Sequence, residues 1–469
     1  MSEEECKPLR QSYDVTGEQV YNRLNEISPP PKTGELPRNN PRQSEKTESG
    51  FDSKTVNEDE KQYGQQPKTP SRDLYAILRD NRKGDPLLEK FWDEVSTVPD
   101  WVDWDQIARG QDVFYRYGGA TITGLAYQSL LGGMGAARVV ETLARTGGFS
   151  VKVARGRLFE TMQHILQVTK TLESLQPGGD GWASTIRVRL LHAAVRARIM
   201  KLASTRPSYY DVSANGVPIN DLDSIATITT FSATLIWMSL PRQGIFLRAH
   251  EITDYVALWR YVGYVIGCPV SPYFATPTKA KAMMETLYYH EIRPSATGRI
   301  LANNIIKSLH NQPPAYASAD FLAASARWLN GNALSDELGL PSPSWYYWAL
   351  MAGQCAFFCC LIYMNRSVPS WDKRKLELVR RLMWSVIVDS KFGLQGEMTS
   401  FELKYVPEYA TITEMGESDA KGDRGYDVEG RNLRWFGYTL AALGVGSYVG
   451  VKLTLWGIRM MVGLWHLVW

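Results

Sequence analysis

One histidine sits among apolar neighbours and three arginines in "RVRLLHAAVR", residues 187–196. On a helix His192 shares a face with Val188, Val195 and Ile199, while Arg189 and Arg196 lie one turn before and one turn after it. Three kinds of chemistry suit that arrangement. A basic amphipathic helix could rest on anionic lipid or RNA, and a core helix could bury a neutral imidazole with arginines at its rim. A cofactor helix could give the imidazole to a metal. Haem takes an axial histidine and carries two propionates, for which arginine forks are natural partners.

A second polar stripe precedes it. Arg157, Glu160, Thr161 and His164 stand at i, i+3, i+4 and i+7 and so share one face of the helix expected over 151–174. That stripe reads equally as a solvated surface or as the polar wall of a site. Other site chemistries lack their residues. Neither His250-Glu251 nor His290-Glu291 continues as HExxH, and no CxxC pair exists. The repeated Glu-x-x-His of a di-iron bundle is also missing. "GGMGAAR" at 132–138 lacks the preceding strand that a dinucleotide loop needs, and reads as a helix-packing turn.

The elements that must position these residues are helices. From about residue 71 to 415 the apolar residues recur every three or four positions, and the breakers "QPGGDG", "PRQG", "CPVSP" and "NQPPAY" separate the runs. The class expected is all-α: a single large helical domain over 71–415, opening near Ser71 as a helix cap. Residues 1–70 are polar and rich in proline, and read as a disordered arm. A polar linker is expected over 416–436 and an apolar helix over 437–469.

With 52 Lys and Arg against 49 Asp and Glu, the net charge of +3 gives no global field to recruit nucleic acid. Five cysteines, three of them in one apolar run, do not form a secreted disulfide framework, and the first thirty residues carry no apolar signal core. An intracellular, reducing compartment is expected. The 15 Trp and 24 Tyr suit a large apolar pocket or a membrane contact.

Two stretches are long enough to cross a bilayer. "WYYWALMAGQCAFFCCLIYM" at 345–364 is followed by more helical sequence and is expected to be a core helix. In the tail, Lys452, Arg459 and His466 are spaced by seven and form one narrow stripe on an apolar cylinder. A central Lys or Arg costs about 2.5–3.5 kcal/mol to insert, so a helix held at the interface, helped by Trp456, Trp465 and Trp469, is expected.

Several segments together resemble a known family. "TVPDWVDWDQIARGQDVFYRY", "LARTG", "RGRLFET", "RVRLLHAAVR", "GVPIN" and "WRYVGYVIG" occur in order between residues 97 and 267. They resemble the ER-bound oxygenase/rubber oxygenase catalytic domain, a group that includes the latex-clearing proteins, with the likeness running over about 75–390. The resemblance implies a globin-like all-α core and one haem b held by His192, with Arg189 and Arg196 as candidate propionate partners. It also implies a distal R-x-x-K-T arrangement, which Arg157 and Thr161 match while Glu160 replaces the lysine. Glu141 resembles an upstream carboxylate that acts as a base. The activity implied is that of an oxidoreductase, a haem-dependent oxygenase in which dioxygen cleaves a carbon–carbon double bond of a prenylated or lipid-like substrate. The setting implied is a membrane surface such as the endoplasmic reticulum, without nucleic acid. Two alternatives stay open: a non-catalytic haem- or lipid-binding protein on the same fold, and a membrane-anchored interaction protein without a cofactor.

Overall fold

Short polar side chains start most helices where the apolar spacing places them. In a computed structural model, which describes residues 3–30, 72–401 and 428–468, the main helices are α1 (Val15–Ile27), α2 (Leu74–Asn81), α3 (Pro86–Ser96), α4 (Trp104–Thr123) and α5 (Ala137–Arg145). The chain continues through α6 (Ala154–Thr169), α7 (Asp180–Thr205), α8 (Asp221–Phe231), α9 (Ala249–Val265) and α10 (Pro277–Glu291). It ends with α11 (Ala296–Leu309), α12 (Ala319–Asn330), α13 (Trp345–Ser367), α14 (Pro369–Trp384) and α15 (Val428–Val468). Among the described residues the extended pairing is limited to one isolated bridge, Ala136 to Arg293. The fold is all-α. Asp85, Asp103 and Asn220 cap α3, α4 and α8 by accepting from backbone N–H groups of the first turn. Asp73 caps α2, two residues beyond the expected Ser71, which lies outside the described residues.

α7 is the central element. Its 26 residues run through the interior, with α6, α1, α2 and α9 packed around it. Arg189 and Arg196 are 3% and 2% exposed, and a buried cation is tolerated only when paired. The pairing comes from α1. Asp14 caps that helix by accepting from Gly17 N–H, and its two oxygens also accept from Arg189 Nε at 2.7 Å and Nη2 at 2.8 Å. Glu94 of α3 takes a second bond from Arg189 Nη2, also at 2.8 Å. Gly267, with φ +85°, passes so close that a Cβ there would lie 2.7 Å from Arg189 Nε.

The disordered arm expected over 1–70 is therefore corrected for residues 3–30. α1 buries Val20 and Leu24 completely and supplies counter-charge to α7. Its apolar positions are few and were outweighed by the polar average of the longer stretch. Residues 31–71, where the rest of the arm was expected, lie outside the described residues, as do 402–427, which include part of the expected linker.

The core helix expected at 345–364 is corrected too. α13 buries one face, with Tyr347, Met351, Cys355 and Ile362, while Trp345, Phe357 and Met364 are exposed. α15 is apolar and exposed at the residues described from Leu440 to Val451. Two helices, Trp345–Ser367 and Leu440–Ile458, are long and apolar enough to cross a membrane. The side chains of Arg459, Trp465 and His466, and all of Trp469, lie outside the described residues, so the expected polar stripe is described at Lys452 alone.

If Asp14 supplies the charge that keeps Arg189 buried, Asp14→Asn, which retains a capping acceptor, destabilises the protein by about 3 kcal/mol. Loss of a cap alone costs about 1 kcal/mol. Urea unfolding of the two proteins reads the difference.

Candidate functional site

His192 differs from the residues that flank it in sequence. Leu191, Ala193, Ala194, Val195 and Arg196 are buried, whereas His192 keeps accessible surface. Burial, followed by the positive charge of Arg196, pulls its imidazole from the ordinary range down to about 4. The ring is therefore neutral at physiological pH, with a lone pair free. No described residue hydrogen-bonds to it, and its nitrogens are not among the sealed, unpartnered buried atoms. A ring that is neutral, unbonded and still accessible can take a ligand wherever the helices beside it leave a gap.

α6 packs along α7 and brings His164 near His192, close enough for their charges to repel. His164 is buried, its Nδ1 hydrogen-bonded to Ser184 Oγ of α7 at 2.9 Å, and its ring meets Phe401 edge-on at 6.2 Å. Burial, then the charge of His192, lowers it also to about 4. Phe401 belongs to the segment after α14, which is clamped onto α6. Gln163 accepts from Thr399 N–H at 2.9 Å and donates back to the Thr399 carbonyl at 3.3 Å.

The rest of the polar stripe lies one to two turns toward the start of α6. Arg157 Nη1 donates to Glu160 at 3.0 Å, so the residue replacing the lysine forms an i,i+3 ion pair with the arginine. Thr161 is exposed and its hydroxyl donates to the Arg157 carbonyl at 3.0 Å. Arg157 lies against Gly148, in the loop that joins α5 to α6. From α5, Glu141 accepts from Arg145 at 2.6 Å with one oxygen and from the Thr297 hydroxyl of α11 at 2.6 Å with the other. Thr297 is 156 residues away in sequence, and no local signal pointed to it.

Arg189 and Arg196, expected beside haem propionates, already have partners within the chain. Arg189 is occupied by Asp14 and Glu94; Arg196 donates to the carbonyls of Pro218 and Ile219 and faces Glu18 at 3.5 Å. Arg189 is thus ion-paired within the chain, and Arg196 is held mainly by backbone carbonyls. His192 and His164 stand near one another where α6 and α7 pack together; Arg157, Glu160 and Thr161 lie toward the start of α6, and Glu141 on the preceding α5.

The family model for the ER-bound oxygenase mpaB/B'/rubber oxygenase catalytic domain matches residues 115–357, just over half of the chain and inclusive of Glu141, Arg157, Glu160, Thr161 and His192. The chain belongs to this family. It is therefore a member of an oxygenase group, a class of oxidoreductase whose description includes attachment to the endoplasmic reticulum. A solved structure of Latex Clearing Protein LCP in the closed state shares the fold, with a TM-score of 0.54 at 14% identity, covering 80% of this chain and 91% of that one. No curated protein matches the sequence.

Both imidazoles are neutral when folded and take up protons near pH 6.5 when unfolded, so their contribution to stability is present above that pH and is lost as pH falls toward 4. Cofactor-free protein is expected to lose about 2 kcal/mol per histidine by pH 5. His164→Gln, which can still bond Ser184, removes about half of that loss in unfolding titrations at pH 7 and pH 5.

Proposed function

We propose that this chain is a haem b oxygenase that uses dioxygen to cleave a carbon–carbon double bond of an isoprenoid or lipid-like substrate at a membrane surface. The observation that carries the reading is His192: a neutral, unbonded imidazole on the central buried helix, within the span matched by an oxygenase family. The donor set fits. His192 offers an imidazole with no hydrogen-bond partner, which suits iron already held by a porphyrin. Haem b, when bound, supplies the iron that activates dioxygen.

The chain's own residues would do the remainder. His192 would hold the iron through a ring nitrogen, and its lowered basicity keeps that nitrogen free of a proton. Arg157 would donate N–H groups to dioxygen, with Glu160 fixing the guanidinium through their 3.0 Å pair. Thr161 would add an O–H donor after turning from the Arg157 carbonyl. Glu141 would take an allylic proton from the substrate at the oxygen now bonded to Thr297. The Phe401 segment, clamped over His164, would keep water from that side of the gap. The apolar α15 would hold the protein where prenylated lipids partition, consistent with a setting at the endoplasmic reticulum.

A specific observation favours a second reading, a haem- or lipid-binding protein without turnover. Glu160 neutralises Arg157, and Thr161 is bonded within its own helix. Oxygen uptake with a farnesylated substrate separates the two.

Purified protein is expected to carry near-stoichiometric haem by the pyridine haemochrome assay, and His192→Ala to lose the Soret band. A normal Soret band in that variant would sink the ligand assignment. Arg157→Ala should keep haem and lose about 100-fold or more in oxygen uptake, the usual cost of removing a preorganised donor. Glu141→Gln should likewise keep haem and lose about 100-fold.

A further inference from the structure

Outside α15, the largest group of exposed apolar side chains lies on one hairpin. α13 and α14 are joined through Val368 and lie side by side on α4. Two consecutive glycines in α4 let both settle: a Cβ on Gly119 would come within 2.8 Å of Phe358 of α13, and one on Gly118, at φ +30°, within 3.2 Å of Val379 of α14. Because both helices rest on the same support, their outer faces point the same way.

From Trp345 to Met364, every exposed position of α13 carries an apolar side chain, a glycine or Cys360. Twenty residues of helix make that face about 30 Å long. On α14, Trp371, Leu378 and Leu382 are half exposed at 50%, 53% and 52%. They share a stripe at i, i+7 and i+11, with the exposed Arg374 and Arg381 along its flank.

We propose that the outer face of the α13–α14 hairpin docks onto a phospholipid bilayer, with both helices lying in the plane of the interface. Three features select lipid over a protein partner. The exposed positions of α13 as far as Met364 offer no hydroxyl, amide or charged side chain, whereas protein interfaces carry about one hydrogen bond per 100–200 Å². The arginines flanking α14 sit where anionic headgroups would meet an apolar stripe immersed to the acyl boundary. The same polypeptide continues into α15, exposed and long enough to cross a bilayer, so one membrane contact raises the effective concentration for the other.

The face also reaches the candidate site. Phe392 and Met398 extend the exposed apolar surface into the segment clamped on α6; Arg155 donates to the Phe392 carbonyl and Gln163 is bonded to Thr399. Docking would set the α6 side of the gap against the bilayer, from which an apolar substrate would arrive. That last consequence rests on the oxygenase reading; the docking itself does not.

Cys360 is a native probe in the middle of this face. It is exposed, whereas Cys6, Cys268 and Cys355 are buried and Cys359 is half-buried. The full-length chain is labelled at Cys360 with an environment-sensitive fluorophore, with Cys360→Ser as labelling control, and reconstituted into phosphatidylcholine–phosphatidylserine vesicles. The expected result is a blue-shifted emission, quenched several-fold by nitroxide-labelled lipid and little by aqueous iodide. In the Leu378→Asp/Leu382→Asp double variant, α15 still retains the protein on vesicles, circular dichroism is unchanged, and lipid quenching of Cys360 is lost. Quenching by iodide alone overturns the proposal, as does a label shielded from both quenchers by a second protein or a second copy. So does lipid quenching that persists in the double variant. Neither haem nor turnover enters the readout, so failure of the oxygenase reading leaves this test intact.

Discussion

A buried guanidinium needs a counter-charge, and the central helix has two. Arg189 and Arg196 reach into the seam between α7 and the N-terminal segment, where Asp14, Glu18 and Glu94 face them. Leaving either cation unpaired in that seam would cost several kcal/mol, so α1 and α3 are required companions of α7. Asp14 binds two demands into one side chain, because the carboxylate that caps α1 also closes on Arg189. Gly267 completes the arrangement by leaving room for the pair.

That constraint explains what is left for chemistry on α7. Once the arginines are satisfied by the N-terminal helices, His192 is the polar group on that stretch of α7 with no partner of its own, and the same burial that raises the cost of charging it keeps a nitrogen lone pair available. α6 contributes the opposite wall. Its residues are arranged in pairs: Arg157 with Glu160, Thr161 with the Arg157 carbonyl, His164 with Ser184. An arginine held by a neighbouring carboxylate is an oriented donor of reduced net charge, a different electrostatic environment from the lysine-bearing arrangement that the motif resembles.

The matched family span ends within α13, so most of the apolar hairpin face and all of α15 lie beyond it. The hairpin is nevertheless adjacent to the matched core in space, since α14 and the segment after it pack on α4 and α6.

Much of this was legible from residue order. Helix periods and breakers gave the all-α class and put helices over 151–174 and 345–364, nearly where α6 and α13 stand, because an amphipathic helix must bury its apolar stripe whichever neighbour covers it. The motif residues on α6 and α7 were likewise readable, since residues at i, i+3 and i+4 share a face before any tertiary contact forms. What could not be read was which group meets which across the fold. Arg189 and Arg196 looked available for propionates until Asp14, 175 residues away from Arg189, proved to hold one of them. The 345–364 helix looked like core because hydropathy records how apolar a helix is, not how many of its faces are covered. Sequence alone determined the local periodicity and the chemistry each side chain could perform; only the tertiary structure decided which charges were already neutralised and which apolar faces were left bare, because both depend on long-range packing that no local window contains.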